Sequence, residues 1–238
     1  MSRVGEFWVY LQAGPLLWLV LTLGAYSAAF ALFQLSGGNP LLNPVAVAVA
    51  LVVTVLLATG TDYDTYFGGA QFVHFLLGPA TVALAIPFWR NLAMVRRMLV
   101  PMAAALLAGS VTAMLSAVGV AWLLGASPAT LASLAPKSVT MPIAMGVSEK
   151  LGGLPSLTAA LVMLTGVIGA VTVTPLLNAL RVSDPRARGF AAGLAAHGIG
   201  TARAFQLSML AGTFASIAMG LNGLLTALLA PVLLGWLR

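Results

Sequence analysis

Three ionisable side chains within long apolar stretches of this sequence could together bind an anion. Lys137 follows Pro136 inside one apolar segment, whereas His197 and Arg203 share a second, glycine-rich one. Ionisable groups at membrane depth are costly, and they usually face a cavity or a partner. An ammonium attracts anions, a guanidinium holds a carboxylate through two parallel hydrogen bonds, and an imidazole changes protonation near neutral pH. The residue types therefore predict a site for a small carboxylate anion.

Neighbouring residues add hydroxyl groups and breaks in the helices. Proline lacks an amide donor and glycine loosens a helix, so both free backbone polar groups, and the N-terminus of a half-helix favours an anion. The candidate substrate-binding residues are Thr81, Lys137, Ser138, Thr140, His197, Thr201 and Arg203. The breaks expected to line the site are Gly78, Pro79, Pro136, Pro142, Gly198 and Gly200, and Asn222 is a polar residue within an apolar span.

Each of these candidates also has a purely structural interpretation. Lys137 could extend to the membrane interface or pair with Glu149. Arg203 could lie near a membrane face and contribute to orientation, while His197 makes one helix–helix hydrogen bond. A lone amide such as Asn222 is equally typical of an interhelical hydrogen bond.

Other chemical motifs are weak or missing from the sequence. Asp62 and Asp64 flank a tyrosine, which is typical of an interfacial loop, and no second histidine lies near His74. There is no cysteine, no G-x-S-x-G elbow, no Walker loop and no H-E-x-x-H pair. We therefore expect no metal site, no cofactor and no enzymatic activity. Gly189 and Gly193 form a G-x-x-x-G pair, which permits close helix packing but is common in membrane sequences.

The composition indicates an integral membrane protein. The chain is 61% hydrophobic and 7% charged, with a mean hydropathy of +1.04, whereas soluble domains carry roughly a quarter charged residues. The net charge of +6 comes from basic residues in short loops between apolar runs. Membrane orientation explains that distribution, so we expect a lipid bilayer and no nucleic acid as partner.

Apolar runs long enough to cross a hydrocarbon core of about 30 Å recur along the chain. They predict spans at about residues 15–35, 44–59, 98–124, 155–180 and 210–237. Segments 71–89, 130–149 and 189–205 are also apolar, but helix-breaking or polar residues interrupt each of them. The expected fold is an all-α polytopic membrane protein with about seven or eight hydrophobic segments, several of them broken or re-entrant, in a single domain over residues 1–238.

The distribution of arginines predicts the topology. Arg90, Arg96 and Arg97 fill one loop and Arg181, Arg186 and Arg188 fill another, so both loops should be cytoplasmic. Two full spans between these loops already return the chain to the same side. Segment 130–149 must then cross zero times or twice, as a re-entrant hairpin does. The similar stretches 79–82 and 136–139 suggest tandem inverted units at about 71–124 and 129–180, as in many secondary transporters.

The same segments closely resemble the LrgB/CidB family of antiholin-like proteins, also described as murein hydrolase export regulators. The matching stretches are 62–64, 68–69, 76–85, 136–140, 142–144, 197–203 and 222–226. The resemblance implies a multi-pass protein of the bacterial cytoplasmic (inner) membrane with a small LrgA/CidA-type membrane partner. Plastid relatives that carry glycolate and glycerate, and bacterial members linked to pyruvate, imply a small-carboxylate substrate. Gly146 and stretch 206–209 depart from the family, because acidic residues are expected there.

Two functions follow from these residues and this resemblance. The first is a secondary carrier of small monocarboxylates of the pyruvate, glycolate or glycerate type, linked to lysis and murein hydrolase control. The second is a regulator that acts on a holin-like LrgA/CidA partner without a substrate of its own. In either case we expect a homo-oligomer, of which a dimer is the simplest form.

Overall fold

The computed structural model describes residues 14–76, 79 and 85–235, and this part of the chain contains α-helices, one 3₁₀ turn at Pro40–Leu42 and no strand. The helices are α1 (Pro15–Leu35), α2 (Pro44–Thr59), α3 (Tyr63–Phe75), α4 (Ala85–Arg90), α5 (Leu92–Arg97), α6 (Leu99–Leu123), α7 (Pro128–Leu134), α8 (Met141–Lys150), α9 (Pro155–Ala179), α10 (Pro185–Leu207) and α11 (Met209–Gly235). The all-α fold expected from the sequence is therefore confirmed.

Within the described residues, four helices have the length and composition to cross a membrane: α1, α6, α9 and α11. Helix α2 is equally apolar but has only 16 residues. Prolines begin α1, α2 and α9, as expected where the first helical residue needs no amide donor. The predicted spans agree with these helices to within one or two residues. The chain is a multi-pass membrane protein.

The chain forms two compact units, Met1–Ala83 and Leu84–Arg238. In the first unit α1 packs against α2 and α3. Trp18 is almost fully buried, and a Cβ added to Gly69 of α3 would overlap the Pro15 carbonyl oxygen. The Thr22 and Tyr66 hydroxyls lie 3.1 Å apart across the same contact. Residues 77–78 and 80–84 of segment 71–89, including Gly78 and Thr81, lie outside the described residues.

The first of two helical hairpins lies in the second unit. Helices α7 and α8, joined by the turn 135–140, have seven and ten residues, which gives lengths of about 10 and 15 Å. Neither is long enough to cross a bilayer alone. The Leu154 amide donates to Ser133 Oγ at 2.8 Å, so the chain returns to α7 after α8. We call α7, the turn and α8 the first hairpin, and it agrees with the predicted break in segment 130–149.

The second hairpin lies within α10, where the chain reverses direction. Ala196 (φ −125°, ψ 19°) and His197 (φ 41°, ψ −131°) leave the helical conformation. A Cβ added to Gly200 would overlap the carbonyl oxygen of Ala192, whereas eight residues of continuous helix would separate them by about 12 Å. Ala192 and Ala204 also pack in one buried cluster. Residues 185–195 (limb α10a) and 198–207 (limb α10b) therefore form the second hairpin, as the predicted break in segment 189–205 requires.

Asp184 begins the second hairpin as the N-cap of α10. Its carboxylate accepts from the Arg186 amide at 2.9 Å and from the Arg186 guanidinium at 2.6 Å. The Arg186 side chain holds the pKa of the Asp184 carboxyl below its usual value. The cap fixes where the limb starts.

Limb α10a and helix α11 run in the same direction with their backbones in contact. A Cβ added to Gly189 would overlap the Ala211 carbonyl oxygen, and one added to Gly193 would overlap that of Ala215. The G-x-x-x-G pair thus allows two helices to approach more closely than side chains would permit.

The directions of the remaining helices decide where each hairpin opens. Helix α6 runs parallel to α11, because Met102 packs with Phe214 in one cluster and Val118 packs with Leu234 in another. Helix α9 runs the other way, from the open side of the first hairpin to the start of the second. We call the end where α6 begins and α9 stops, beside both arginine loops, the arginine end. The second hairpin opens at this end and the first opens at the opposite end.

Candidate functional site

The tips of the two hairpins meet at Asn222, which is buried in α11. Its Nδ2 donates to the backbone carbonyl of Ser138 at 3.2 Å and to that of Leu194 at 3.0 Å. Ser138 belongs to the turn of the first hairpin, and Leu194 ends the first limb of the second. One side-chain amide thus joins two breaks that are far apart in sequence.

The other side of the Asn222 amide is also satisfied. Its Oδ1 accepts from Ser110 Oγ of α6 at 2.5 Å and from Thr226 Oγ1 at 3.4 Å. Asn222 therefore makes interhelical hydrogen bonds, which is the structural interpretation of this residue. Sequence reasoning did not find Ser110, although a serine in the middle of an apolar span was an available signal.

His197 forms the tip of the second hairpin and is buried against α9. Its Nε2 lies 2.9 Å from the carbonyl oxygen of Val162, so Nε2 carries the hydrogen and donates. Gly166 makes this contact possible, because a Cβ there would lie 2.8 Å from the imidazole Nε2. The positive φ of His197 is unusual for a residue other than glycine, and such backbone costs roughly 1–3 kcal/mol. The surrounding contacts hold a strained tip in place.

Thr201 supports the same reversal of the chain. Its Oγ1 donates to the His197 carbonyl at 2.8 Å and lies 3.8 Å from Met219 Sδ of α11. The candidate glycines differ from one another: Gly200 packs against Ala192, whereas Gly198 has only Met219 Sδ at 4.0 Å. The sequence indicated that the break would use glycine, but His197 takes the positive φ.

Lys137 lies at the tip of the first hairpin, half-buried. Its Nζ donates to Ser138 Oγ at 3.3 Å. The ion pair found within the described residues joins Arg186 to Asp184. Lys137 therefore has no carboxylate partner among these residues. Glu149 is exposed at the other end of α8, which argues against the alternative pairing. Lys137 adjoins Ser138, whose carbonyl accepts from the same Asn222 amide as the carbonyl of Leu194, three residues before His197.

The start of α8 adds polar backbone groups beside Lys137. Thr140 is the N-cap but makes no side-chain capping bond, and Pro142 follows within the first turn. The first amides of a helix have no partner inside the helix, and they give this end a partial positive charge. Pro136 in the preceding turn is fully buried. Lys137 and the α8 N-terminus thus favour an anion at this tip.

Arg203 lies away from the tips, in limb α10b. It is six residues beyond His197, or about 9 Å of helix towards the arginine end. Arg203 is only 8% exposed, and its Nη1 donates to Gln206 Oε1 at 3.1 Å. Gln206 stands where the family resemblance implied an acidic residue, and the amide oxygen serves as acceptor there. The structure therefore brings Lys137, Ser138, His197 and Asn222 together, with Arg203 lower in the second hairpin.

The remaining candidates lie at the edges of what the structure describes. Thr81 and Gly78 are outside the described residues, and Pro79 is exposed.

A polar contact at the open end of the first hairpin was not predicted from the sequence. Thr158 Oγ1 donates to buried Ser148 Oγ at 2.7 Å. This bond fastens α8 to α9.

Comparison with known proteins finds relatives of this chain along nearly its whole length. The model of the LrgB-like family matches residues 22–236. The chain is 37% identical to YwbG of Bacillus subtilis over 195 residues, covering 82% of this chain and 87% of YwbG. It is 32% identical over 225 residues to the holin-like protein CidB of Staphylococcus epidermidis, covering 94% and 97% of the two chains.

The antiholin-like protein LrgB of Bacillus cereus is 30% identical over 218 residues, covering 92% of this chain and 95% of that protein. No solved structure matches the chain. These relatives are bacterial, and the apolar helices α1, α6, α9 and α11 belong to a multi-pass protein of the bacterial cytoplasmic membrane. By the match over nearly its whole length, this chain belongs to the LrgB-like family.

Proposed function

We propose that this protein is a secondary carrier of small monocarboxylates of the pyruvate, glycolate or glycerate type, and not an enzyme. One observation carries the proposal: two hairpins that open at opposite ends meet at Asn222, in the middle of the 27-residue helix α11. Secondary transporters commonly bind their substrates near the bilayer midplane, where broken helices from two inverted units meet.

The charge at the tips supports an anionic substrate. Lys137 has no carboxylate partner among the described residues, and burying a charge is costly unless a partner compensates it. A carboxylate would supply that partner, and the free amides at the start of α8 would add hydrogen bonds. The Ser138 and Thr140 hydroxyls could hold a keto or hydroxyl oxygen next to the carboxylate. A site made of one cation and two hydroxyls suits a substrate of two or three carbon atoms.

The opposed hairpins support alternating access. A hairpin that opens at one end leaves a path to its tip from that end when it moves away from its neighbours. Because the two hairpins open at opposite ends, movement of one or the other would expose the tips to one side at a time. In this mechanism the hydrogen bonds of Asn222 hold both tips at the same place on α11 between movements.

A second candidate function rests on the relatives. One is named a holin-like protein and another an antiholin-like protein. In that case the chain would form a homo-oligomer or bind an LrgA/CidA-type membrane protein, and it would regulate lysis and murein hydrolases without carrying a substrate. The carrier is favoured because a regulator gives no reason for a half-buried lysine at the meeting point of two hairpins.

Reconstitution separates the two functions. Purified protein is placed in liposomes with and without an LrgA-type partner, and uptake of labelled pyruvate, glycolate and glycerate is measured under an imposed proton gradient. Saturable uptake that unlabelled carboxylates inhibit supports the carrier. Uptake that requires the partner assigns transport to the pair, while no selective uptake in either preparation supports the regulator.

A further inference from the structure

Arg188 lies between two cavities at the arginine end of the second hairpin. An open cavity of about 400 Å³ is lined by Asn178, Ser183, Arg188, Leu207 and Ala211, among others. A water-sized cavity of about 10 Å³, which we call the inner cavity, adjoins the open cavity and shares Arg188, Leu207 and Ala211 with it. The inner cavity continues between the limbs of the second hairpin, where Ala192 and Ala204 face each other.

The polar groups of Arg188 are held by neutral acceptors. Its Nη1 donates to Asn178 Oδ1 at 2.7 Å and to the Val182 carbonyl at 2.9 Å, and Nη2 lies 3.5 Å from the Thr174 carbonyl. None of these acceptors cancels the positive charge of the guanidinium. Arg188 therefore presents a fixed cation to the open cavity.

The inner cavity has a polar wall of its own. Thr174 Oγ1 is sealed from solvent and makes no hydrogen bond within the described residues, and it lines this cavity together with Arg188. A space of this size beside a hydroxyl and a guanidinium suits one buried water. Small residues line the contact between limbs α10a and α10b, which we call the seam. The seam leads to the tip of the second hairpin, nine residues beyond Arg188, or about 14 Å along the helix.

We propose that the open cavity is the arginine-end vestibule for the carboxylate, with Arg188 as the residue that attracts the anion. Leu207 and Ala211 form the barrier between the vestibule and the seam that leads to the tips. This proposal rests on the proposed carrier function, which defines the direction in which the anion moves through the vestibule. The binding of an anion at the vestibule can be measured without transport.

Single-cysteine labelling tests the vestibule, because the natural chain contains no cysteine. Ser183→Cys lies in a loop and lines the open cavity. In inside-out membrane vesicles, an anionic methanethiosulfonate should react faster at this cysteine than a cationic one. Arg188→Gln should lower the ratio of the two rates about two- to fivefold, as expected for removing one charge within several ångströms. Arg188→Lys should keep the ratio.

Two matched controls separate charge from structure. Asn178→Ala removes one hydrogen bond of Arg188 but not its charge, so the ratio at Ser183→Cys should stay unchanged. Ala93→Cys is exposed on α5 beside two other arginines and does not line this cavity. Its ratio should not respond to Arg188→Gln. An unchanged ratio at Ser183→Cys in the Arg188→Gln variant would overturn the proposal.

A second measurement uses chains with Arg188 intact, so it tests the vestibule even if the Arg188→Gln variant does not fold. Pyruvate added to the vesicles should slow labelling of Ser183→Cys in a chain with Arg188 intact, whereas the same concentration of chloride should not. Equal rates with pyruvate and chloride would reject the vestibule. Failure of pyruvate uptake by the reconstituted chain, with protection still observed, would instead reject the carrier function and retain the anion site.

Discussion

Asn222 donates to the carbonyl of Leu194, twenty-eight residues earlier in the chain, at 3.0 Å. The same amide nitrogen reaches Ser138 in the other hairpin, so this residue ties both tips to α11. Asn222→Leu keeps the number and branching of the side-chain heavy atoms but removes every one of these hydrogen bonds. We expect a loss of about 2–3 kcal/mol in the free energy of unfolding, since interhelical bonds in membranes contribute about 0.6 kcal/mol each and stranded polar groups add more.

Ser110→Ala is the control for Asn222→Leu, because it removes a single partner of the same amide. It should lower stability by about 1 kcal/mol or less. Thermal unfolding in one detergent compares the two variants. Equal losses would mean that Asn222 does not join the tips.

Lys137→Gln should separate function from stability. If the proposed carrier function is correct, pyruvate uptake should fall at least about tenfold, because the variant loses the charge that we propose attracts the carboxylate. Stability should stay the same or rise, since a half-buried ammonium without a carboxylate partner is costly. Uptake into liposomes and thermal unfolding measure the two effects.

Lys150→Gln is the matched control for Lys137→Gln, because Lys150 is exposed at the other end of the same hairpin. Its uptake should equal that of the unmodified protein. A stability loss in Lys137→Gln with uptake retained would show that Lys137 is only a structural residue.

The positive φ of His197 predicts an inverted order of stability for two substitutions. His197→Ala and His197→Gly both remove the hydrogen bond to Val162. Alanine keeps the strained backbone, whereas glycine adopts φ 41° without strain. The glycine variant should therefore be more stable than the alanine variant by about 1 kcal/mol. In an ordinary helix the order is the reverse, so a more stable alanine variant in thermal unfolding would contradict the sharp reversal at this residue.

Gly193→Ala tests the contact between limb α10a and α11. The added Cβ would overlap the Ala215 backbone, which cannot rotate out of the way as a side chain does. We expect a loss of about 3 kcal/mol or failure to insert as a folded protein, at the upper end of overpacking costs. Gly220→Ala is the control on α11, since nothing lies within 4 Å of its added Cβ. Size-exclusion profiles and thermal unfolding should show no loss for this control.

The sequence was sufficient to predict the spans. Their apolar length defines them, and prolines at the first position of α1, α2 and α9 mark their starts. The arginine loops also predicted that segment 130–149 does not behave as a simple span, and α7 and α8 are indeed too short to be one. Local signals of this kind need no knowledge of tertiary contacts. The tandem units at about 71–124 and 129–180 stay a prediction, as does the single domain over residues 1–238.

The candidate site was harder to predict because it depends on distant pairs. Ser110 and Asn222 are 112 residues apart in the chain, and nothing local indicates that they meet. The break in α10 was expected from its glycines, yet His197 takes the positive φ because Val162 and Gly166 of α9 receive its ring. Arg203 was expected at the tip, but its position along α10b places it with Gln206. Residue types identified the chemistry, while tertiary packing decided which groups meet.

The contacts of Gly189 and Gly193 with α11 also have a mechanical consequence. Two backbones that touch with no side chains between them have nothing that can change rotamer to absorb sliding, so limb α10a and α11 should move as one rigid strut. Limb α10b, by contrast, meets Gly212 through the side chain of Phe205, which can rotate. We therefore expect flexibility to be concentrated in limb α10b, which carries Leu207 of the barrier, so that this limb and not the strut sets the rate of any opening at the arginine end.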